Sequence, residues 1–119
     1  MVELHKLGEA KSASREGYFA SYVADIVLKE PSDTAGVIMV ELGVGGKTKP
    51  HAHEALQEVF VALGDMKANV AGKEYLLNRG DVLLVDPNEF HSFQAYPAQA
   101  ASMIAIKVPN LKDDKVKSD

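Results

Sequence analysis

Turn-forming residues break this chain into pieces too short for anything but strands. Gly36 and Gly43 bound Val37-Ile38-Met39-Val40-Glu41-Leu42, and Gly64-Asp65 closes Glu58-Val59-Phe60-Val61-Ala62-Leu63. Gly72-Lys73 separates Met66 to Ala71 from Glu74 to Leu77, and Asn78-Arg79-Gly80 precedes Asp81 to Val85. Asp86-Pro87-Asn88 precedes Phe90 to Ala95, and Ala101 to Val108 runs up to Pro109. With Tyr18 to Leu28 these make about eight runs rich in β-branched and aromatic residues, each ended by residues that favour turns. No long stripe with the 3.6-residue period of a helix is visible, and Glu9 to Glu16 is read as a turn or two of helix at most. The expected fold class is all-β, a small antiparallel sandwich or barrel with little helix.

Length and composition narrow the reading further. At 119 residues the chain fits one domain, with the barrel core expected over about 18–108. Residues 110–119 are nearly all charged and are expected to form a flexible, solvated tail. Lys and Arg total 13 against 17 Asp and Glu, a formal charge of −4 without a basic cluster, which argues against nucleic acid as a partner. With no cysteine, disulfides, thiolate metal sites and cysteine nucleophiles are excluded. No apolar run approaches the ~18 residues of a membrane span, and the first residues lack a signal-peptide pattern. A cytoplasmic protein without a membrane partner is expected.

The chemistry concentrates in two clusters. The first reads Gly45-Gly46-Lys47-Thr48-Lys49-Pro50-His51-Ala52-His53, with Glu58 a few residues on; the second runs from Gly80-Asp81 to His91. Two histidines at i and i+2 on an extended strand point to the same face. With Glu58 and His91 they supply three imidazoles and a carboxylate, a set able to hold one metal ion with room left for a small molecule. If the strand register differed by one residue, Gln57 would take the place of Glu58. Neutral imidazole suits Zn, Fe and Ni, and the carboxylate makes Mn and Fe more competitive. Phe60 and Ala62 share the expected face of Glu58, and Phe93 that of His91, so Gln57, Phe60 and Phe93 are expected to line the pocket. Met39, Met103 and Tyr22 are further candidates for the inner face, which parity alone does not assign. Lys47 and Lys49 are read as solvated loop residues, His5 as a surface residue, and Gly80-Asp81 as a turn with a structural role.

The two clusters resemble the paired motifs of the cupins, in particular their small single-domain members of the type 2 conserved-barrel group. The first cupin motif is a glycine, five residues, His-x-His, three or four residues, a glutamate, six residues and a glycine. Gly45, His51, His53 and Glu58 follow it, with Gly64 one residue early. The second is a glycine, five residues, Pro-x-Gly, two residues, a histidine, three residues and an asparagine. Gly80 and His91 keep its spacing, but Pro87 comes one position late. Asp86 stands at the motif's proline, Asn88 at its glycine and Ala95 at its asparagine. Asparagine is the next best residue for a left-handed turn position.

The resemblance spans about residues 37–108. It implies a jelly-roll β-barrel with one divalent metal ion per chain (Mn, Fe, Ni or Zn), a small-molecule ligand or substrate, and a homodimer whose first strand, Tyr18 to Leu28, pairs across the interface. Sugar or uronate isomerases, lyases, hydrolases and dioxygenases are the chemistries implied, with non-catalytic binding or sensing as the alternative.

Overall fold

The computed structural model describes residues 2–117 and is nearly all β. Its strands are β1 (Glu3–His5), β2 (Lys11–Arg15), β3 (Tyr18–Tyr22), β4 (Gly36–Leu42), β5 (His51–His53) and β6 (Gln57–Ala62). They continue as β7 (Met66–Val70), β8 (Lys73–Leu77), β9 (Val82–Val85), β10 (His91–Gln94), β11 (Ala101–Val108) and β12 (Lys115–Lys117). One five-stranded sheet has the order β1-β9-β6-β11-β4 and a second the order β12-β5-β10-β7-β8; β2 and β3 form a separate hairpin. The pairings in both sheets are antiparallel.

Alternation along the strands decides what lies between the sheets. On β11, Ala101, Met103 and Ala105 are buried while Ser102, Ile104 and Ile106 are only partly covered. Leu42, Phe60, Leu83 and Val85 from the first sheet meet Met66, Val70, Leu77 and Phe93 from the second in one apolar cluster. A buried side chain of this size stabilises by roughly 1.5–3 kcal/mol relative to exposure, so this face-to-face core dominates the fold. The expected small antiparallel jelly-roll barrel is the fold observed.

Two turns show how local chemistry sets the register. Ala71 (φ +51) and Gly72 (φ +83) join β7 to β8, and two consecutive positive φ values mark the type I′ connection that suits twisted hairpins. The turn lies one residue earlier than Gly72-Lys73, because Lys73 already pairs with Val70. Asn88 adopts φ +67, the left-handed conformation for which asparagine is tolerated, and its amide donates to the His53 carbonyl at 2.7 Å. That bond ties the second motif to the strand of the first.

The ends of the chain depart from expectation. Glu9 to Glu16 is not helical beyond a 3₁₀ turn at Leu7–Glu9; Lys11–Arg15 is a strand, turned back by Gly17 (φ +84) onto β3. The expected strand Tyr18 to Leu28 ends at Tyr22, and residues 23–35 contain no strand. Nothing in its alternation stops the run there, but its aromatic residues have no barrel face to cover: Tyr18, Phe19 and Tyr22 are all exposed. Within the expected tail, Lys115–Lys117 pairs with His51–His53, and Asp114 accepts hydrogen bonds from the Ala55 and Leu56 amides at 2.9 and 3.1 Å. Residues 118 and 119 lie outside the described residues. At the other end β1 pairs with β9, pinned by the buried Asp81 carboxylate, which accepts from Lys6 Nζ, the Leu7 amide (2.9 Å) and the Asn78 amide (2.7 Å).

Candidate metal centre

Each sheet contributes part of one polar cluster inside the barrel. β5 presents His51 and His53 on one face, and His91 on β10 is the direct cross-strand partner of His51, their rings 4.5 Å apart. Glu58 reaches them from β6 in the opposite sheet. The donor atoms of the four side chains all lie within 4.8 Å of one another. One ion with ligand distances of about 2.1 Å gathers such a set with small side-chain adjustments. His53, Glu58 and His91 are buried, and His51 is half-buried at the opening.

The orientation of the rings is as informative as their proximity. His91 Nδ1 lies 2.9 Å from the Glu89 carbonyl, and His51 Nδ1 lies 3.4 Å from that of Lys49. A carbonyl accepts only, so the ring proton belongs on Nδ1 and the Nε2 lone pair faces inward. His91 Nε2 stands 3.0 Å from Glu58 Oε1, and His53 Nε2 2.9 Å from it. Neither contact is a hydrogen bond: both Nε2 atoms, Glu58 Oε1 and also His53 Nδ1 are buried without a hydrogen-bond partner. The His91 lone pair facing a carboxylate oxygen at that distance is repelled unless a cation lies between them, and His53, with neither ring nitrogen hydrogen-bonded, offers a further free donor. The donor set therefore fits a divalent metal ion.

Protonation agrees with that fit. Burial, then the neighbouring His91, pushes the His51 pKa down from 6.5 to about 4. Burial also lowers His53, against the opposing pull of Glu58. Burial pushes Glu58 up, but the close approach of His91, His53 and His51 outweighs it and holds the carboxyl below 4.5. The lowered His51 and His53 favour neutral imidazole and the lowered Glu58 favours carboxylate, the forms that bind metal.

The donors open into a cavity of about 220 Å³. Phe60 and Phe93 line it, as expected, together with Ile38, Val40, Met103 and Ala105. Gln57 does not. Alternation turns it to the other side of β6, where its Nε2 donates to Asp86 Oδ1 at 2.8 Å and its Oε1 accepts from the Lys29 amide at 3.0 Å. This corrects its expected place in the pocket and puts Glu58, not Gln57, beside the histidines. Met103 points inward, whereas Met39 and Tyr22 are exposed. Lys47 and Lys49 are exposed loop residues, and His5 pairs with Glu3 at 3.1 Å.

Three polar lining residues were not singled out from the sequence: Thr48, Lys107 and Lys115. Lys107 shares the β11 face of Met103 and Ala105, a face that parity alone does not assign. Thr48 is held by an Oγ1 that accepts from the Phe93 amide at 2.9 Å, a contact between distant segments.

Two antiparallel sheets closing over three histidines and a glutamate define a small β-barrel with a donor set at its mouth. The chain belongs to the cupin family, whose cupin domain model matches residues 38–107. Among solved structures it is similar to a cupin protein from Bacteroides fragilis, with 20% identity and a TM-score of 0.61 over 76% of this chain and 88% of that one. A dTDP sugar isomerase from Desulfovibrio desulfuricans G20 is 13% identical at a TM-score of 0.71, covering 99% of this chain and 83% of its own. DMSP lyase DddQ from Ruegeria pomeroyi DSS-3 is 19% identical at a TM-score of 0.65, over 73% of this chain but only 44% of that chain. At these identities the likeness is one of fold. No curated protein matches the sequence. Among the described residues no helix is long and apolar enough to cross a membrane.

Proposed function

We propose that this protein is a metal-dependent cupin, with one divalent ion (Mn, Fe, Ni or Zn) held by His51, His53, Glu58 and His91, acting on a small polar molecule. The observation that carries the reading is the buried, unpartnered convergence of the His53, His91 and Glu58 donors. An ion held there supplies Lewis acidity to a bound oxygen donor. Phe60 and Phe93 exclude water from one side of the site, while the carbonyls of Glu89 and Lys49 fix the His91 and His51 rings. Fold relatives that include a sugar isomerase and a lyase are compatible with isomerase, lyase or hydrolase chemistry, with dioxygenase chemistry a further class.

A second reading has its own observation. Beyond the four donors, the titratable side chains lining the cavity are Lys107 and Lys115, so no carboxylate or imidazole remains as a separate general base. A binding or sensing module needs none. Either reading takes a small-molecule ligand and a cytoplasmic setting. Either also allows a homodimer, for which exposed Val37 and Met39 on edge strand β4 and Tyr18, Phe19 and Tyr22 on the hairpin offer apolar surface; a strictly monomeric elution profile would count against it.

The test is elemental analysis of tag-free protein purified without chelator, beside a His51→Ala/His91→Ala variant. About one ion per chain in the wild type, lost in the variant, is expected. A wild type that neither carries nor takes up any of these metals would sink the reading.

A further inference from the structure

Lys107 and Lys115 each stand directly across from a metal-donor residue. Lys107 pairs with Glu58 across β11 and β6, and Lys115 pairs with His53 across β12 and β5. Directly opposed residues in antiparallel strands share a face, so both lysines are set on the face that carries the donors, and both line the cavity. Lys107 is half-buried and Lys115 lies exposed at the rim. Among the described residues neither ammonium has a hydrogen-bond or ion-pair partner, even though Glu58 is the register neighbour of Lys107.

The balance of charge in the cavity is uneven. Glu58 is the one carboxylate among its lining residues, set against two lysines, so the lining is net positive before any ion is added. A divalent ion makes it more so. This occurs in a chain whose overall formal charge is −4. Around these charges the wall is apolar, formed by Val40, Phe60 and Met103 among others. The volume of about 220 Å³ is that of a handful of water molecules, room for a small organic ligand or the end of a larger one. A pair of cations at the rim of an apolar wall favours a ligand that is charged at one end and apolar at the other.

We propose that the cavity receives a small organic anion, a carboxylate with a short apolar body, whose charged end lies between Lys107 and Lys115 beside the metal position and whose body packs on Val40, Phe60 and Met103. The inference rests on the metal-centre reading for the place of the ion, but the two lysines attract the anion whether or not the ion is bound. It names the class of ligand that the open side of the site selects, and gives β12 a function: that strand carries Lys115 to the mouth.

The test is calorimetric titration of α-ketoisocaproate and its neutral amide into protein of measured metal content. The proteins are the wild type, Lys107→Met/Lys115→Met and Lys107→Arg/Lys115→Arg. The wild type is expected to prefer the anion over the amide by about tenfold or more, the scale of a charge-assisted contact. The methionine variant should lose that preference at unchanged metal content and melting temperature, and the arginine variant should keep it. Equal affinity for the two probes in the wild type, no binding of the anion at millimolar concentration, or a preference that survives in the methionine variant would each overturn the proposal. Metal content reads the centre and the anion-to-amide ratio reads the lysines. A metal-free wild type that still prefers the anion would defeat the first reading and leave the second standing.

Discussion

Two of the carboxylates buried in this barrel, Asp81 and Glu58, have opposite surroundings. Asp81 is 1% exposed and satisfied: Lys6 Nζ and the amides of Leu7 and Asn78 all donate to it. Glu58 is 5% exposed, and its Oε1 has no hydrogen-bond donor although two imidazoles face it. Burying a charged group is unfavourable unless it is paired. The Asp81 cluster meets that requirement within the chain, so it acts as a staple joining the N-terminal strand to β9. The Glu58 cluster leaves it unmet, which is the mark of a site completed by something outside the chain. Burial alone does not separate the two; the presence or absence of donors does.

The largest effect is expected where the network is complete. Asp81→Ala strands the Leu7 and Asn78 amides and the Lys6 ammonium, costing about 3 kcal/mol, the lower end for a broken buried pair because Lys6 can reach water. The midpoint of urea unfolding measures it, and metal content should not change. The pH dependence follows from the same partners. Burial pushes the Asp81 carboxyl up, but Lys6 and the two amides more than offset this and hold it below 3.8. A lowered carboxyl contributes stability that is fully present above its ordinary pKa and lost as pH falls through its folded value. The gap between wild type and variant should thus be constant from neutral pH down to about 4 and close below it. A gap that stays open in stronger acid would show that packing, not the charge, is what Asp81 supplies.

Glu58→Gln turns the comparison round. The residue has no donor to lose, so stability without metal should change by less than about 1 kcal/mol. Metal affinity should instead fall by about a hundredfold or more, since a coordinating carboxylate matters at least as much as the residues that merely orient ligands. Melting temperature with and without added ion reads both quantities, because binding to the folded state raises it by mass action. A large destabilisation of the metal-free variant would place Glu58 with Asp81 as a structural residue.

The same distinction explains what the sequence made legible. His51, His53, Glu58 and His91 lie on strands whose two-residue period assigns a face, and once β6 buries Phe60 and Ala62 the face of Glu58 follows. Gln57, one residue away, is turned by that period to Asp86 and Lys29. Asn88 was legible because a positive φ has few acceptable side chains. Of the N-terminal hairpin, β3 fell within the expected strand, but its partner β2 and its early end were not legible, and neither was β12. They are short and polar, or apolar with no face to bury, and their pairing is fixed by contacts from far along the chain such as Lys115 with His53. Lys6 and Asp81 are separated by 75 residues, and no local pattern announces their contact. Lys107 lies between these cases: it alternates with Met103 and Ala105, but which face of β11 turns inward is settled only once the cavity is seen.

The smallest effect tests whether scaffold and site are separable at close range. Ala71 holds φ +51 at the first position of the β7–β8 turn, and its amide donates to the Phe90 carbonyl at 2.8 Å, next to His91. An alanine in the left-handed region is strained, whereas asparagine followed by glycine is the pair that such turns favour. Ala71→Asn keeps the amide and relieves the strain, so it should stabilise the protein by roughly 0.5–1 kcal/mol, seen as a higher urea midpoint with an unchanged slope. The gain should be equal in the wild-type and Glu58→Gln backgrounds, because changes that share no partner add. If Ala71→Asn instead altered metal affinity, the position of His91 would depend on the tightness of this turn. The polar cluster would then be coupled to the hairpin through a single backbone hydrogen bond, and the Asp81 and Glu58 clusters would differ in degree rather than in kind.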